Sequence, residues 1–206
     1  HPSLARDIDP LAVEEYFAYG YVPEPRTIFK RAYKLPPGFT LTLKRGQARA
    51  LPKQYWDMPF TPVAVKDEAD AMDELVARMK ESIRLRMIAD VPLGAFLSGG
   101  VDSSAVVAMM ATQSATPVNT CSIGFDDPAF NEIEFAQQVA DRYRTHHHVE
   151  TVASNDFSLV GRLAQVYDEP YADSSALPTY RVCELARKHV KVALSGDGGD
   201  EHFAGY

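Results

Sequence analysis

Cysteine is scarce in this sequence: Cys121 and Cys183 are the only two in 206 residues, and neither has another Cys or a His at metal-ligand spacing. That excludes a disulfide-built scaffold and a cysteine-built zinc module, and both thiols are expected to be buried and structural, packing as small hydrophobes. Long apolar runs are also missing. The longest, Ala105 to Ala111, falls far short of the ~20 residues that a membrane helix needs, and no charged-then-apolar signal segment opens the chain. Nor is there an excess of positive charge. The 21 Lys plus Arg stand against 28 Asp plus Glu, giving −7 and a pI near 5.3, which argues against broad nucleic-acid binding through phosphate neutralisation and leaves a local, preformed anion pocket open. A soluble, cytosolic protein with no nucleic-acid or membrane partner is expected. A starting Met is absent too, since His1 opens the chain, and the sequence reads as a fragment.

What is present is ordinary for a globular protein, at 46% hydrophobic and 24% charged residues. The length allows one domain, or one domain with part of another. The first third shows a helix start at Asp9-Pro10, an apolar-bearing helix to Tyr19, and the Pro-rich stretch 21–25, which cannot be helical. Alternation of Phe39, Leu41 and Leu43 before Arg45-Gly46 predicts a strand entering a hairpin. Pro52, Pro59 and Pro62 then mark a connection, with the boundary near residues 57–66, so the expected domains are 1–60 and 61–206.

From Lys66 the period changes. Met72, Leu75, Val76, Met79 and Ile83 lie on one face of a helix from about Asp67 to Met87, and this face is expected to be core. Strands and helices then alternate: a strand Gly94 to Leu97, a helix from Ser103, a strand Val118 to Phe125, a helix from about Asn131 and a strand His148 to Val152. Helices from about Asp156 and Ser175 and a last strand Val190 to Leu194 complete the series. Such alternation predicts an α/β fold, a mainly parallel, doubly wound sheet covered by helices on both faces.

The chemistry concentrates in two glycine-rich loops. Leu97-Ser98-Gly99-Gly100-Val101-Asp102-Ser103-Ser104 joins an apolar strand to an apolar helix, at the strand's carboxyl end where open parallel sheets bind ligands. Glycine amides and a helix start, with three serine hydroxyls, suit an anion such as pyrophosphate. The loop has neither the Gly-Lys pair of a P-loop nor the third glycine of a dinucleotide fingerprint. Asp102 has two readings at this point: it favours the helix N-terminus, or it holds Mg²⁺ between itself and phosphate. The second loop, Ser195-Gly196-Asp197-Gly198-Gly199-Asp200-Glu201, follows another strand and brings further carboxylates to the same edge. Together the loops read as a cage for a metal and pyrophosphate.

The segment 97–104 resembles the pyrophosphate loop of ATP pyrophosphatases. With the segment 194–201 it is similar to the glutamine-dependent asparagine synthetase family, as are Pro25 to Phe29, Lys34 to Gly38, Ser122 to Phe125 and Asp168 to Ser175. The resemblance implies a PP-loop fold resembling the adenine nucleotide alpha hydrolases, preceded by the small α+β end of a glutaminase domain. It implies adenylation of the aspartate side-chain carboxylate by ATP, and displacement of AMP by ammonia that the glutaminase part releases from glutamine. Ser98, Gly99, Gly100, Asp102, Ser103 and Ser104 would surround the phosphates, Leu97 and Ile123 would lie by the adenosine through their main chain, and Ser195 and Gly196 would lie near the ribose or α-phosphate. Asp102 and Asp200 would hold Mg²⁺. Asp197 stands where many relatives carry Glu, and Ser174 and Ser175 fall in the region that approaches the acidic substrate. A homodimer is compatible with this reading.

His202 and Ala204 replace a Leu and a Gly common in the family. The amino-terminal cysteine and the helices beyond Tyr206, which carry a basic residue, are not in this sequence, so the chain by itself is expected to bind ATP without forming amide. Rival readings are an amidotransferase or β-lactam synthetase acting on another carboxylate, or a non-catalytic ATP-binding module. His146-His147-His148 is not read as a metal site, because adjacent strand residues face opposite ways, and Tyr55-Trp56 reads as an anchor where the hairpin ends.

Overall fold

A computed structural model describes residues 3–47, 50–61, 67–127, 131–153 and 157–205. Pro62, the helix start at Asp156 and the terminal His1 and Tyr206 lie outside the described residues. In chain order the elements are α1 (Pro10–Tyr19), β1 (Phe39–Thr40), β2 (Lys53–Gln54), α2 (Glu68–Arg86), β3 (Leu93–Phe96), α3 (Val101–Gln113), β4 (Asn119–Phe125), α4 (Ile133–Tyr143), β5 (His146–Val152), α5 (Val160–Val166), α6 (Ala176–Arg187), β6 (Val192–Leu194) and α7 (Gly199–Phe203). They fall into two units, residues 1–64 with 158–176 and residues 65–157 with 177–206.

In the first unit, Asp9 caps α1 by accepting the Leu11 N–H at 3.1 Å, Pro10 takes the first helical turn, and Gly20 closes the helix with its N–H on the Tyr16 carbonyl. A small core of Ala12, Val22 and Ile28 forms beneath it. The guanidinium of Arg26 grips Glu15 at 2.8 Å. The hairpin is shorter than the alternation predicts. β1 pairs antiparallel with β2 through Phe39 and Thr40, and Leu41 and Leu43 beyond it are exposed. The stretch 158–176, expected within the second domain, groups with this unit. Its Ala172 N–H donates to the Gly20 carbonyl at 2.8 Å, and Glu169 accepts the Ile28 N–H and pairs with Lys34.

The second unit is the α/β body. Its sheet has the order β5-β4-β3-β6, with every pairing parallel. Ala95 of β3 and the following Leu97 pack on one face with Ile83 of α2, Val106, Val107 and Met110 of α3, and Ala136 and Ala140 of α4. Phe96 points the other way, into a core with Cys121, Val182, Leu185, Ala186 and Val190. Period-two alternation along β3 thus feeds both layers, and the sheet is doubly wound. Thr120, fully buried, is satisfied by the Thr145 hydroxyl and by Nδ1 of His147, each at 2.9 Å.

Two expectations about burial are corrected. Met72 (60% exposed), Leu75 and Val76 (both 40%) are not core, although Ile83 on the same helix is. The spacing made α2 amphipathic, but only its C-terminal end meets the sheet's helical layer. Cys183 is exposed while Cys121 is buried, because Cys183 falls between the inward-facing Val182 and Leu185 positions of α6. No helix among the described residues is long and apolar enough to cross a membrane.

Candidate functional site

Strand order places the site. From β3 the chain passes through α3 to β4 on one side, whereas β6 pairs with β3 on the other, with Leu93 opposite Val192 and Ala95 opposite Leu194. The crevice beyond the carboxyl ends of β3 and β6 is therefore a topological switch point, the usual ligand position in an open parallel sheet. The loop of residues 97–100 leaves β3 there, and that of residues 195–198 leaves β6.

The first loop is held by its own serines. The Ser103 hydroxyl is 2.9 Å from that of Ser98, accepts the Ser98 N–H at 3.2 Å and donates to the Gly100 carbonyl at 3.3 Å, while the Ser98 hydroxyl accepts the Gly100 N–H at 3.2 Å. Ser103 is buried. Gly99 has φ +90°, and a side chain there would stand 2.6 Å from the amide nitrogen of Ala136, at the start of α4. No side chain caps α3, so its first N–H groups, which have no carbonyl partner within the helix, face the crevice end of the loop. The Ser104 hydroxyl is buried with no hydrogen-bond partner among the described residues. Leu97 is buried, its N–H donates to the Cys121 carbonyl at 3.0 Å, and its carbonyl accepts the Ser122 hydroxyl.

The second loop is packed directly on the first. A Cβ at Gly196 would stand 2.7 Å from the Ser103 amide nitrogen and 3.0 Å from the Asp102 carbonyl carbon. A Cβ at Gly199 would stand 2.6 Å from each Asp102 carboxylate oxygen. The Asp102 carboxylate therefore lies against the start of α7. Ser195 donates its hydroxyl to Asp197 at 2.9 Å. Asp200, on the first turn of α7, packs its carboxylate against Gly205. Ile123 lies near the carboxyl end of β4, on the opposite flank of β3 from β6, with Glu150 of β5 as its register partner. Ser174 and Ser175 belong to the other unit, where the Ser175 N–H donates to Asp173 at 2.7 Å and, with other hydrogen bonds, holds that carboxyl below its usual range.

The structure thus brings Leu97 to Ser104 together with Ser195, Gly196 and the neighbouring Asp197 and Gly199. Sequence reasoning missed the steric role of Gly199 and the Ser122 hydroxyl that anchors Leu97. The available signal for Gly199 was the doubled glycine at 198–199, of which a turn needs one. No group of three or more His, Cys, Asp or Glu side chains is arranged to hold a metal ion among the described residues, so Asp102 alone or with one other carboxylate is the donor set on offer. Burial pushes the Cys121 thiol up to about 11, which leaves it protonated and a poor nucleophile at neutral pH.

Residues 74–206 match the family described as asparagine synthase. A Methanocaldococcus jannaschii protein provisionally named asparagine synthetase [glutamine-hydrolyzing] 2 is 40% identical over 95% of this chain and 38% of its own length. Asparagine synthetase [glutamine-hydrolyzing] 1 of Bacillus subtilis is 33% identical over 97% of this chain and 31% of its own. The chain therefore spans about a third of the length of these relatives. Among solved structures, NH3-dependent NAD synthetase from Campylobacter jejuni matches with a TM-score of 0.45 and 12% identity over 65% of this chain and 60% of that one. With the family match covering the sheet, both glycine loops and the helices that carry them, this chain belongs to the asparagine synthase family.

Proposed function

We propose that this chain supplies the ATP-binding part of a glutamine-dependent ligase that converts the side-chain carboxylate of aspartate to an amide. The observation that carries the reading is the contact between the two loops, with Gly196 against the Asp102–Ser103 backbone and Gly199 against the Asp102 carboxylate. It joins an anion-binding helix start to a carboxylate at one crevice.

A carboxylate is a poor acyl donor, so the reaction needs a leaving group on its oxygen. An aspartate carboxylate oxygen attacks the α-phosphorus of ATP, the bond to pyrophosphate breaks, and ammonia then attacks the acyl carbon while AMP departs. Negative charge grows on pyrophosphate as it leaves. The amides of Gly99 and Gly100, the first amides of α3 and the Ser104 hydroxyl, which has no hydrogen-bond partner among the described residues, are the donors that would stabilise it. A cation fits this donor set, because an unscreened Asp102 carboxylate inside the loop would repel phosphate. Mg²⁺ typically takes one or two carboxylates and completes its shell with phosphate oxygens and water, and Asp102 and Asp200 are the residues that would hold it. When bound, it would neutralise phosphate charge. Ser195 and Gly196 would border the ribose or α-phosphate, Leu97 and Ile123 the adenosine, and Asp197 the acceptor or ammonia. No protein nucleophile is required, in keeping with the high pKa of the Cys121 thiol.

The test is aspartate-dependent exchange of labelled pyrophosphate into ATP by the full-length protein. Exchange with aspartate is expected. Exchange with another carboxylic acid but not with aspartate would reject the acceptor, and no exchange with any acid would reject adenylation.

A further inference from the structure

Gly199 occupies a position where the backbone gives glycine no advantage. Its φ is not in the left-handed region, unlike that of Gly198 at +90°. It is the first residue of α7, where alanine is the better helix former. What excludes a side chain is Asp102, both of whose carboxylate oxygens would lie 2.6 Å from a Cβ at 199. Ordinary carbon contacts lie at roughly 3.5–4 Å, so even a methyl group would push that carboxylate away by about 1 Å. The obstacle is the end of a side chain that rotates about Cα–Cβ, not backbone, so the fold can yield while the carboxylate's position cannot be kept. Gly196 differs, since its missing Cβ abuts the main-chain nitrogen of Ser103 and carbonyl carbon of Asp102.

We infer that Gly199 is a positioning residue: it leaves the space in which the Asp102 carboxylate sits, and so sets where that carboxylate meets Mg²⁺ on the ATP phosphates. The inference rests on the proposed reading of Asp102 and names the residue on the facing loop that controls it. It ties the second loop to the first by exclusion of a side chain. A larger residue at 199 would change the metal response of the site while leaving the phosphate-binding amides of α3 in place.

The experiment is calorimetric titration of the full-length protein with ATP, once with Mg²⁺ and once with chelator, for wild type, Asp102→Ala, Gly199→Ala and the double variant. Thermal unfolding of each is recorded alongside. Gly199→Ala is expected to weaken Mg²⁺-ATP binding about tenfold or more, the range found when a residue orienting a metal ligand is altered. It should leave metal-free ATP affinity and the melting temperature close to wild type, and add nothing in the Asp102→Ala background, where the colliding carboxylate is gone. If Asp102→Ala weakens Mg²⁺-ATP binding and Gly199→Ala does not, the positioning role is wrong and the reading of Asp102 stands. If Asp102→Ala leaves Mg²⁺-ATP binding unchanged, both fall. Equal loss of binding with and without Mg²⁺ in Gly199→Ala would also overturn the inference, because it would mark a general distortion of the loop. Should Gly199→Ala fold poorly, Gly199→Ser in the same two titrations poses the same steric question.

Discussion

Adjacent glycines in the first loop ought to respond very differently to one added methyl group. At Gly99 two penalties combine. Its φ of +90° lies where an L side chain is strained, costing about 1–2 kcal/mol. The new Cβ would also stand 2.6 Å from the Ala136 amide nitrogen and 2.8 Å from the Phe135 carbonyl carbon. Those are backbone atoms, so the start of α4 must move, which adds roughly 1–3 kcal/mol as overpacking. Gly99→Ala should therefore lose about 2–5 kcal/mol, equivalent to roughly 2–4 °C of melting temperature for each kcal/mol in a chain of this size. At Gly100, φ is −66° and the nearest obstacle is the Ser98 hydroxyl at 3.3 Å. Gly100→Ala should stay within about 1 kcal/mol of wild type, since the entropy removed from the unfolded chain offsets a mild contact. Urea unfolding followed by far-UV circular dichroism, with hydrogen exchange at the β3 and β4 amides to separate the α/β body from the other unit, measures both. A loss below about 1 kcal/mol for Gly99→Ala, or equal losses at the two positions, would refute the reasoning from backbone geometry.

Other outcomes follow from single features. Ala204 ends α7 at φ 56° and ψ 47°, so Ala204→Gly should slow hydrogen exchange of the α7 amides by stabilising that turn about 1 kcal/mol, and unchanged exchange would remove the strain argument. Cys183 is exposed and Cys121 is buried with its thiol pushed up to about 11, so an aromatic disulfide reagent at pH 8 should modify one thiol quickly and the other only on unfolding; two fast reactions would contradict the buried assignment. Desolvation, then neighbouring His148, holds His147 below its ordinary value of 6.5, and desolvation, then His189 and His146, does the same for His148. The unfolded chain then binds protons first. Stability is full above pH about 6.5 and falls as pH drops through the lowered values. His148→Asn, which breaks the stack on His189 at 3.5 Å, should flatten that decline, and an unchanged pH profile of urea midpoints would count against it.

The helices and strands of the α/β body were legible because each reports itself locally, through period, cap or glycine stop. Asp67 before α2 and the apolar Ala95-Phe96-Leu97 stretch at the end of β3 are of this kind. Pairing was not legible in the same way. Nothing local in Val192–Leu194 says that it lies beside β3 and not outside β5, so the crevice was inferred from two similar loops and only the strand order locates it. Periodicity also misled at Met72 and Leu75, because a stripe shows that a helix has an apolar face and not what covers it. The pairing of buried Thr120 with half-buried His147 was missed, since neither residue type announces a partner across parallel strands. The glycine loops were readable as motifs. Their mutual fit, Gly199 against the Asp102 carboxylate, depends on a contact that sequence spacing does not encode.

The position of β6 beside β3 carries a kinetic consequence. Leu93 and Val192 are register partners separated by most of the α/β body in sequence, so closing that loop of about 100 residues costs about 4 kcal/mol in chain entropy before the pair gains anything. Contacts this distant form late and slow folding. β3, β4 and β5 can assemble from near neighbours, whereas the crevice exists only after β6 docks. A ligand that touches both loops binds only the state with β6 docked and stabilises it, so occupancy of the proposed site would act as a latch on the pairing of β6 with β3.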